Sequence, residues 1–345
     1  MKVGLVGFAG GGKSALFQLL TGHVSDPSKI QAGQVGEMIV PDSRFDRLVA
    51  LFHPNKIVPA KIQLFDTPGL IKGETKGNGQ RLGIIRESAV LIQVIGVYSG
   101  ANPLEETVAF TDECILSDLQ IITNRIERVK KDLAKPKPAT EREAMQAELD
   151  TLSPLEAHLT SGQPLRSMKL TEEQDKAVRA FSLLSGKPIL ALLNSAESKY
   201  DPAVIEKLKT QGVMSLAAPV GLEQEIEALS TEDRAIFAEE MGLTESSKSR
   251  VARAIFEITD QITFYTSDEK EVHAWLLNRG GSAVDAAGTI HTDLAKNFIR
   301  AEIMPVEDLL RLGSEKEVKA AGLFRLEGKE YVMHDGDEIV IRANV

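Results

Sequence analysis

An eight-residue glycine loop lies close to the start of the chain, between a short apolar run and a helical pattern. The loop reads GFAGGGKS over residues 7–14 and satisfies the pattern G-x-x-x-x-G-K-[ST]. The preceding run KVGLVG (2–7) is typical of a short strand, and residues 13–20 read as a helix. A strand, a glycine turn and a helix in this order predict an α/β fold that opens on a phosphate-binding loop.

The residue types of this loop suit a polyphosphate. Successive glycines let backbone N–H groups point inward at the positive end of the following helix. Lys13 places a compact cation on the β- and γ-phosphates, and the Ser14 hydroxyl is the expected Mg²⁺ ligand. A random chain of this length carries the pattern roughly one time in a hundred, and the flanking strand and helix make chance less frequent still. We therefore predict a nucleoside triphosphate site held by Gly10, Gly11, Gly12, Lys13, Ser14 and Ala15.

A second motif, DTPG (66–69), directly follows the run KIQLF (61–65). An aspartate at the end of a strand near the phosphate loop is where a Mg²⁺-bound water is held, and the glycine N–H can sense a γ-phosphate. Alone, D-x-x-G is more often a turn, but about fifty residues after a phosphate loop it indicates a switch GTPase-like site. We expect Ser14 and Asp66 to hold Mg²⁺, and Lys13 and Gly69 to act in hydrolysis.

The element that would read the base departs from the common guanine motif. A guanine pocket usually carries N-K-x-D at a strand end, whereas here Asn194-Ser195-Ala196-Glu197 follows the run ILALL. The lysine is absent and the acid is the longer glutamate. Asn194 and Glu197 are therefore predicted to contact the base, and guanine selectivity is not predicted.

Short apolar runs alternate with helical segments along the first 260 residues, which predicts a mostly parallel sheet covered on both faces. The strand candidates after the first are Val35–Val40, Lys61–Phe65, Ala89–Val97, Ile189–Leu193 and Val213–Leu216.

A heptad pattern interrupts this alternation. Its apolar residues step by four and three: Ile115, Leu119, Ile122, Ile126, Val129 and Leu133. The turn KPKP (135–138) ends the pattern, and Thr140 with Glu143 reads as a capping box for a second helix. We predict an antiparallel helical hairpin whose helices have roughly 20 residues each; ordinary packing of these helices on a core is the alternative.

Near Ile262 the sequence pattern changes again, to one typical of short strands and turns. The predicted organisation is a P-loop nucleotide-binding domain formed by residues 1–113 and 172–260, an inserted hairpin at 114–171, and a separate small domain at 262–345.

The bulk composition limits the classes of function. With 43% apolar and 26% charged residues the chain can build cores, and its net charge of -10 argues against general capture of DNA or anionic membrane. One cysteine excludes an internal disulfide framework. With neither a signal peptide nor a long apolar run, a cytoplasmic protein is expected. The six histidines show no metal-ligand spacing.

Several segments together resemble the YchF (Obg-like ATPase) family, and they extend over nearly the whole chain. Besides the phosphate loop and the NxxE element they are VPDSRFDRL (40–48), VPAKIQLFDTPGLIKG (58–73), IRE (85–87), SDLQIITNRIERVKKDL (117–133), ITFYTSDEKEVHAW, IHTDLAKNFIRAEI and FRLEGKEYVMHDGDEIVIRANV. The last three resemble a TGS domain, a ubiquitin-like β-grasp module of RNA- and ribosome-associated proteins. The resemblance implies a P-loop NTPase G-domain with an inserted helical hairpin and a C-terminal β-grasp domain.

The chain departs from the family pattern around the switches. The family usually has an asparagine, associated with a potassium ion that helps hydrolysis, where this chain has Gly10. Alignment puts Ile30 near the threonine of the first switch, and the hydroxyls of Ser25 and Ser28 are displaced from it. Leu70 occupies the place where many GTPases carry a water-orienting glutamine. Phosphate binding is expected to be intact and hydrolysis slow.

The resemblance implies an ATP-binding switch, with Mg²⁺, that acts with ribosomes or ribosomal RNA. The main hypothesis is a slow ATPase. One alternative is a nucleotide-gated binding module with little or no hydrolysis, and another is a true GTPase.

Overall fold

The computed structural model describes residues 1–26, 28–29, 31–197 and 200–344. Within these residues the strands are β1 (Lys2–Val6), β2 (Gln34–Ile39), β3 (Lys56–Val58), β4 (Lys61–Asp66), β5 (Val90–Gly96), β6 (Ile189–Asn194), β7 (Met214–Ala218), β8 (Gln261–Ser267), β9 (Glu271–Asn278), β10 (Phe298–Pro305), β11 (Arg325–Glu327) and β12 (Asp337–Ala343).

The helices over the same residues are α1 (Lys13–Thr21), α2 (Ser43–Phe52), α3 (Thr75–Ile85), α4 (Pro103–Leu133), α5 (Ala139–Thr160), α6 (Glu172–Ala180), α7 (Pro202–Thr210), α8 (Val220–Glu227), α9 (Thr231–Glu240), α10 (Ser247–Thr259), α11 (Ala283–Ile290), α12 (Thr292–Lys296), α13 (Val306–Leu312) and α14 (Glu315–Ala320). Over the described residues, none of these helices is both long enough and apolar enough to cross a membrane.

Contacts divide the chain into two compact units. The first contains Met1–Glu37 and Gln63–Arg250, and the second contains Met38–Ile62 and the chain from Val251 onward. Residues 38–62, which the sequence assigns to the nucleotide-binding domain by continuity, are thus grouped with the C-terminal region. The domain boundaries given above remain predictions.

The first unit is built on a six-stranded sheet with the order β2-β4-β1-β5-β6-β7. The central strand β1 pairs in parallel with β4 and β5, and the parallel pairing continues through β6 to β7. Every residue of β5 and β6 is buried, as expected for interior strands covered by helices on both faces.

The hairpin is formed by α4 and α5, but α4 has 31 residues and α5 has 22. The extra length of α4 arises because its first turns belong to another core. Phe110 and Cys114 pack with the sheet strands, whereas Ile122 and Ile126 pack with α5. The predicted capping box is wrong: α5 already begins at Ala139, so Thr140 lies inside its first turn.

A buried ion pair fixes the base of the hairpin. Asp118 on α4 is fully buried and accepts a hydrogen bond of 2.7 Å from the Arg86 guanidinium. Its two carboxylate oxygens also accept from the backbone N–H groups of Leu184 and Ser185. Because the buried charge is paired and hydrogen-bonded, it holds α4 in one position relative to the chain before β6.

The second unit contains a mixed sheet with the order β11-β10-β12-β8-β9-β3. The pairs β10–β12 and β8–β9 are antiparallel, whereas β12–β8 and β3–β9 are parallel. The small residues Ala283, Ala286 and Ala287 of α11 are buried in the same core as Phe264 and Ile303 of the sheet. A helix packed across a mixed sheet is the arrangement expected for the β-grasp domain.

One buried acid of this second unit leads to a pH-dependent stability. Glu338 is fully buried, and its Oε1 accepts from the Ser267 hydroxyl at 3.2 Å. Its Oε2 has no hydrogen-bond partner among the described residues. Burial, assisted by the nearby Glu315 carboxylate, raises the pKa of Glu338 to about 8.

We predict that Glu338→Gln stabilises the second unit increasingly as the pH rises from about 4.5 to 8. In this window the unfolded chain has lost the proton that the folded chain retains, so wild-type stability falls by up to ~1.4 kcal/mol per pH unit. The glutamine variant does not titrate there. Urea unfolding at several pH values, followed by Trp275 as the lone tryptophan, measures the difference. A difference that is the same at all pH values, or one matched by the exposed control Glu330→Gln, would contradict the prediction.

Candidate functional site

The predicted site residues lie at the carboxyl ends of the parallel strands. Leu5 of β1 is in register with Asp66 of β4, and Gly96 of β5 is in register with Asn194 of β6. Because these strand ends meet at one edge of the sheet, Asp66 and Asn194 flank the glycine loop that follows β1. The sheet register therefore brings together motifs that are far apart in the sequence.

Two glycines of the loop leave no room for a side chain. Gly12 has a φ of 94°, and a Cβ on it would overlap the amide nitrogen of Asn194. A Cβ on Gly11 would overlap the carbonyl oxygen of Val94. Helix α1 starts directly after Gly12 with no side-chain cap and no acidic residue in its first turn. Its first N–H groups are therefore available to an anion.

Lys13 is 7% exposed and lies inside the loop. Its Nζ donates to the carbonyl oxygens of Phe8, at 2.8 Å, and Gly7, at 3.4 Å. A Cβ on Gly69 would be 2.8 Å from this Nζ, so the second motif comes directly against the lysine. Burial lowers the pKa of Lys13 to about 8, although the carboxylates of Asp66 and Glu106 act in the opposite direction.

Asp66 and Ser14 offer oxygen atoms that suit a Mg²⁺ ion. Asp66 is 3% exposed, and its Oδ1 is buried with no hydrogen-bond partner in the part of the chain that the structure describes. Ser14 is half-buried. Mg²⁺ binds through one or two protein oxygens together with phosphate oxygens and waters. A carboxylate oxygen without a partner and the hydroxyl of the residue after Lys13 are the types of ligand that this coordination needs.

Ser25 contacts the same aspartate. Its Oγ donates to Oδ2 of Asp66 at 2.8 Å, so a hydroxyl of the first switch reaches the predicted metal site although sequence alignment displaces it. The Ser28 hydroxyl instead bonds to Asp26 at 2.7 Å. Ile30, which alignment puts near the switch threonine, lies outside the described residues.

Backbone hydrogen bonds join the second motif to the phosphate loop. The N–H of Leu70 donates to Gly7 at 3.0 Å, and the N–H of Ala9 donates to Leu70 at 2.9 Å. The Leu70 side chain is fully buried, so it cannot orient a water in this arrangement. Displacement of the segment that contains Gly69 would break these two bonds.

An ion pair ties the chain after the second motif to α4. Lys72 contacts the buried Glu106 at 2.8 Å and lies 5.3 Å from the Phe8 ring centroid. Glu106 also attracts the Lys13 charge. Neither residue is expected at the site from the sequence, because Lys72 has no stated role within the segment 58–73 and Glu106 reads as one of several acids in the first turns of α4.

A cavity of about 570 Å³ adjoins the loop on the side of the NxxE element. Its walls include Tyr98, Tyr200 and Glu197, and the Tyr98 hydroxyl donates to the carbonyl oxygen of Gly10 at 3.0 Å. Glu197 is exposed. Asn194 is buried and donates from its amide nitrogen to Gly11 at 3.2 Å. In this structure Asn194 therefore supports the phosphate loop, whereas the two tyrosines and Glu197 line the cavity.

The structure thus brings most predicted residues to one place. Gly10, Gly11, Gly12, Lys13, Ser14, Asp66 and Gly69 meet at the loop, Asn194 contacts it, and Glu197 lies in the adjoining cavity. Ala15 lies in the first turn of α1, where its carbonyl accepts from Gln224 at 3.0 Å. In the described ranges no cluster of three or more His, Cys, Asp or Glu side chains could hold a metal. Tyr98 gave one sequence signal, its position directly after a buried strand.

Known protein families match both the N-terminal and the C-terminal part of the chain. A family model described as a 50S ribosome-binding GTPase matches residues 2–125, and the model of the C-terminal region of YchF GTPases, described as a protein of unknown function, matches residues 261–344. The ribosome-binding ATPase YchF of Bacillus subtilis is 35% identical over 369 residues, covering 100% of both chains. Its namesake from Escherichia coli O157:H7 is 32% identical, covering 100% of this chain and 99% of its own.

A solved structure is similar over almost the whole length. The structure of the Schizosaccharomyces pombe YchF GTPase has a TM-score of 0.84 and 26% sequence identity to this chain. It covers 99% of this chain and 97% of its own. The likeness confirms the predicted fold class.

Proposed function

The chain belongs to the YchF family, and on that premise we propose that it is a nucleotide-binding switch that hydrolyses ATP slowly with Mg²⁺. The observation that supports this proposal most is that Lys13, Gly69 and Asp66 lie close together at the glycine loop. Family membership agrees with the resemblance drawn from the sequence.

In the proposed complex, the N–H groups at the start of α1 and the ammonium group of Lys13 hold the phosphates. Ser14 and Asp66 would hold Mg²⁺, which would offset the negative charge of the phosphates. The γ-phosphate then contacts the N–H of Gly69. The next residue, Leu70, is hydrogen-bonded through its backbone to the phosphate loop. Loss of the γ-phosphate would therefore affect both Gly69 and its contacts with the loop.

For the base we propose the cavity beside Tyr98. The aromatic faces of Tyr98 and Tyr200 offer apolar walls for a flat ring, and Glu197 is the acid in reach of a base edge. The lysine that accompanies guanine recognition has no counterpart in this element. These features favour ATP, and preferential GTP binding is the alternative.

The proposed hydrolysis is slow because, within the described residues, the position that usually aligns water offers no polar group. The water-orienting position holds the buried Leu70, and the potassium-associated position holds Gly10. A binding module with almost no hydrolysis is therefore the second candidate function. A partner that reorders Ser25 and the segment after Gly69 would distinguish the two candidate functions. It would raise the rate of ATP hydrolysis by an ATPase but not by a binding module.

We propose ribosomes as that partner, in the cytoplasm. Relatives at 35% and 32% identity carry the name ribosome-binding ATPase. The tip of the hairpin offers Lys130, Lys131, Lys135 and Lys137 for contact with ribosomal RNA, although Lys131, Lys135 and Lys137 pair with acids of the same hairpin.

The first prediction is that ATP binds more tightly than GTP and that Lys13→Ala weakens both by about 10- to 100-fold, because charge-assisted hydrogen bonds to phosphate are lost. Titration with labelled ATP and GTP in the presence of Mg²⁺ measures this. Lys209→Ala, an exposed lysine on α7, is the control. Tighter GTP binding would overturn the base assignment, and failure of both nucleotides to bind would overturn the whole proposal.

The second prediction concerns the metal. Ser25→Ala should raise the Mg²⁺ concentration needed for half-maximal ATP binding by about 10-fold, because Asp66 loses the hydroxyl that orients it. The measurement is an ATP-binding titration with Mg²⁺ as the variable. Ser28→Ala is the matched control, since its hydroxyl donates to Asp26 instead of Asp66. An unchanged midpoint in Ser25→Ala would show that this contact is irrelevant to the metal.

The third prediction concerns the rate. Gly10→Asn should make single-turnover ATP hydrolysis faster in potassium than in sodium, by restoring the family's potassium-associated side chain. The substitution fits, because Gly10 has a φ of 84°, which asparagine tolerates, and a Cβ there has open space. Gly10→Ala should show no such difference. Equal rates for Gly10→Asn in both salts would favour the binding-module alternative.

A further inference from the structure

A second cavity of the first unit lies away from the phosphate loop. It has a volume of about 270 Å³ and is lined by α4, by the chain after α5, and by residues that lead into β7. Gln211 and Val213 of its wall precede β7, whereas Asn194 is in register with Ala218 at the far end of that strand. The cavity and the phosphate loop therefore occupy different ends of β7.

The principal charge in the wall is an arginine without an acidic partner. The guanidinium of Arg166 donates to the Thr111 hydroxyl at 3.1 Å and to the Ser185 carbonyl oxygen at 3.5 Å. Its Nε is buried with no hydrogen-bond partner among the residues that the structure describes. Over those residues no carboxylate lies within ion-pair distance of it.

This arrangement is energetically incomplete. A guanidinium stays protonated in a protein, and even partial burial of a charge without a counter-charge is unfavourable; Arg166 is half-buried and its Nε is enclosed. Arg86 of the same unit shows the usual solution, a buried pair with Asp118 at 2.7 Å. The carbonyl and hydroxyl contacts of Arg166 leave donors unused and bring no negative charge.

The cavity supplies further donors next to the guanidinium. Thr107 is 2% exposed, and its hydroxyl has no hydrogen-bond partner in the described part of the chain. Thr107 and Thr111 lie one turn apart on α4, so both face the same side of the helix. Two threonine hydroxyls and a guanidinium match the several oxygen atoms of a tetrahedral oxyanion better than the two oxygens of a carboxylate.

We propose that this cavity is a second anion site, which takes a phosphate group independently of the phosphate loop. Its volume is several times the roughly 30 Å³ that one water occupies in the liquid. The guanidinium supplies the charge and the threonines supply hydrogen bonds. The group is carried either by free inorganic phosphate or by a small phosphorylated molecule.

One wall residue opposes the anion, and it provides a test that does not depend on Arg166. Asp112 is exposed and lines the same cavity. Its negative charge repels a phosphate group, so Asp112→Asn should tighten phosphate binding. A merely structural role of Arg166 in the fold predicts no such gain.

The test uses the full chain with Lys13→Ala, which weakens the phosphate loop and leaves the second cavity intact. Calorimetric titration with inorganic phosphate should show one saturable site. Relative to this background, Arg166→Met should weaken binding at least about 10-fold, and Asp112→Asn should tighten it about 3-fold or more. Arg179→Met, on the exposed face of α6, is the matched control.

Two further arms identify the ligand and protect the test against misfolding. Sulfate should compete with phosphate whereas acetate should not, and tighter binding of a phosphate monoester than of phosphate would identify a phosphorylated molecule as the source. If Arg166→Met does not fold, the response to Asp112→Asn decides. No saturable binding at millimolar phosphate, or binding that neither variant changes, overturns the proposal without affecting nucleotide binding.

Discussion

The parallel register of β1, β4, β5 and β6 is the constraint on which the site depends. It sets the ends of four strands at one edge, so that Asp66 and Asn194 lie on either side of the glycine loop. The loop itself is held by contacts with these neighbours, through the amide of Asn194 and the backbone of Leu70. A phosphate-binding loop is a short backbone segment, and its shape persists only because buried strands fix both of its ends.

The parts of the molecule that follow from local patterns could be predicted from the sequence. The glycine loop needs backbone conformations and close approaches that only glycine allows, as at Gly12. The runs that became β5 and β6 are apolar throughout because both faces of an interior parallel strand are covered. The hairpin seam repeats because two helices pack along it. In each case the structural constraint acts on neighbouring residues, so the local sequence pattern shows it.

What could not be predicted depends on contacts between distant segments. Ser25 reaches Asp66 across 41 positions and Lys72 reaches Glu106 across 34, and no sequence pattern links the two members of either pair. The grouping of residues 38–62 with the C-terminal region rests on pairing of β3 with β9. The spacing of Thr140 and Glu143 predicts a helix start that the structure does not have, because the same spacing also occurs inside a helix. The role proposed for Arg166 could not be predicted, because which charges lie beside it depends on how the chain packs.

The continuity of α4 gives the molecule a mechanical consequence. Near one end the helix carries Glu106, which forms an ion pair with Lys72 beside the phosphate loop. The other end of the helix forms the hairpin. At 1.5 Å per residue its 31 residues make a rod about 46 Å long. Because the buried Asp118 anchors the helix, the arm beyond it is about 22 Å long, and a tilt of about 5° there would carry the far end through roughly 2 Å. An adjustment beside the phosphate loop would thus be carried along the helix to the tip of the hairpin, far from the nucleotide.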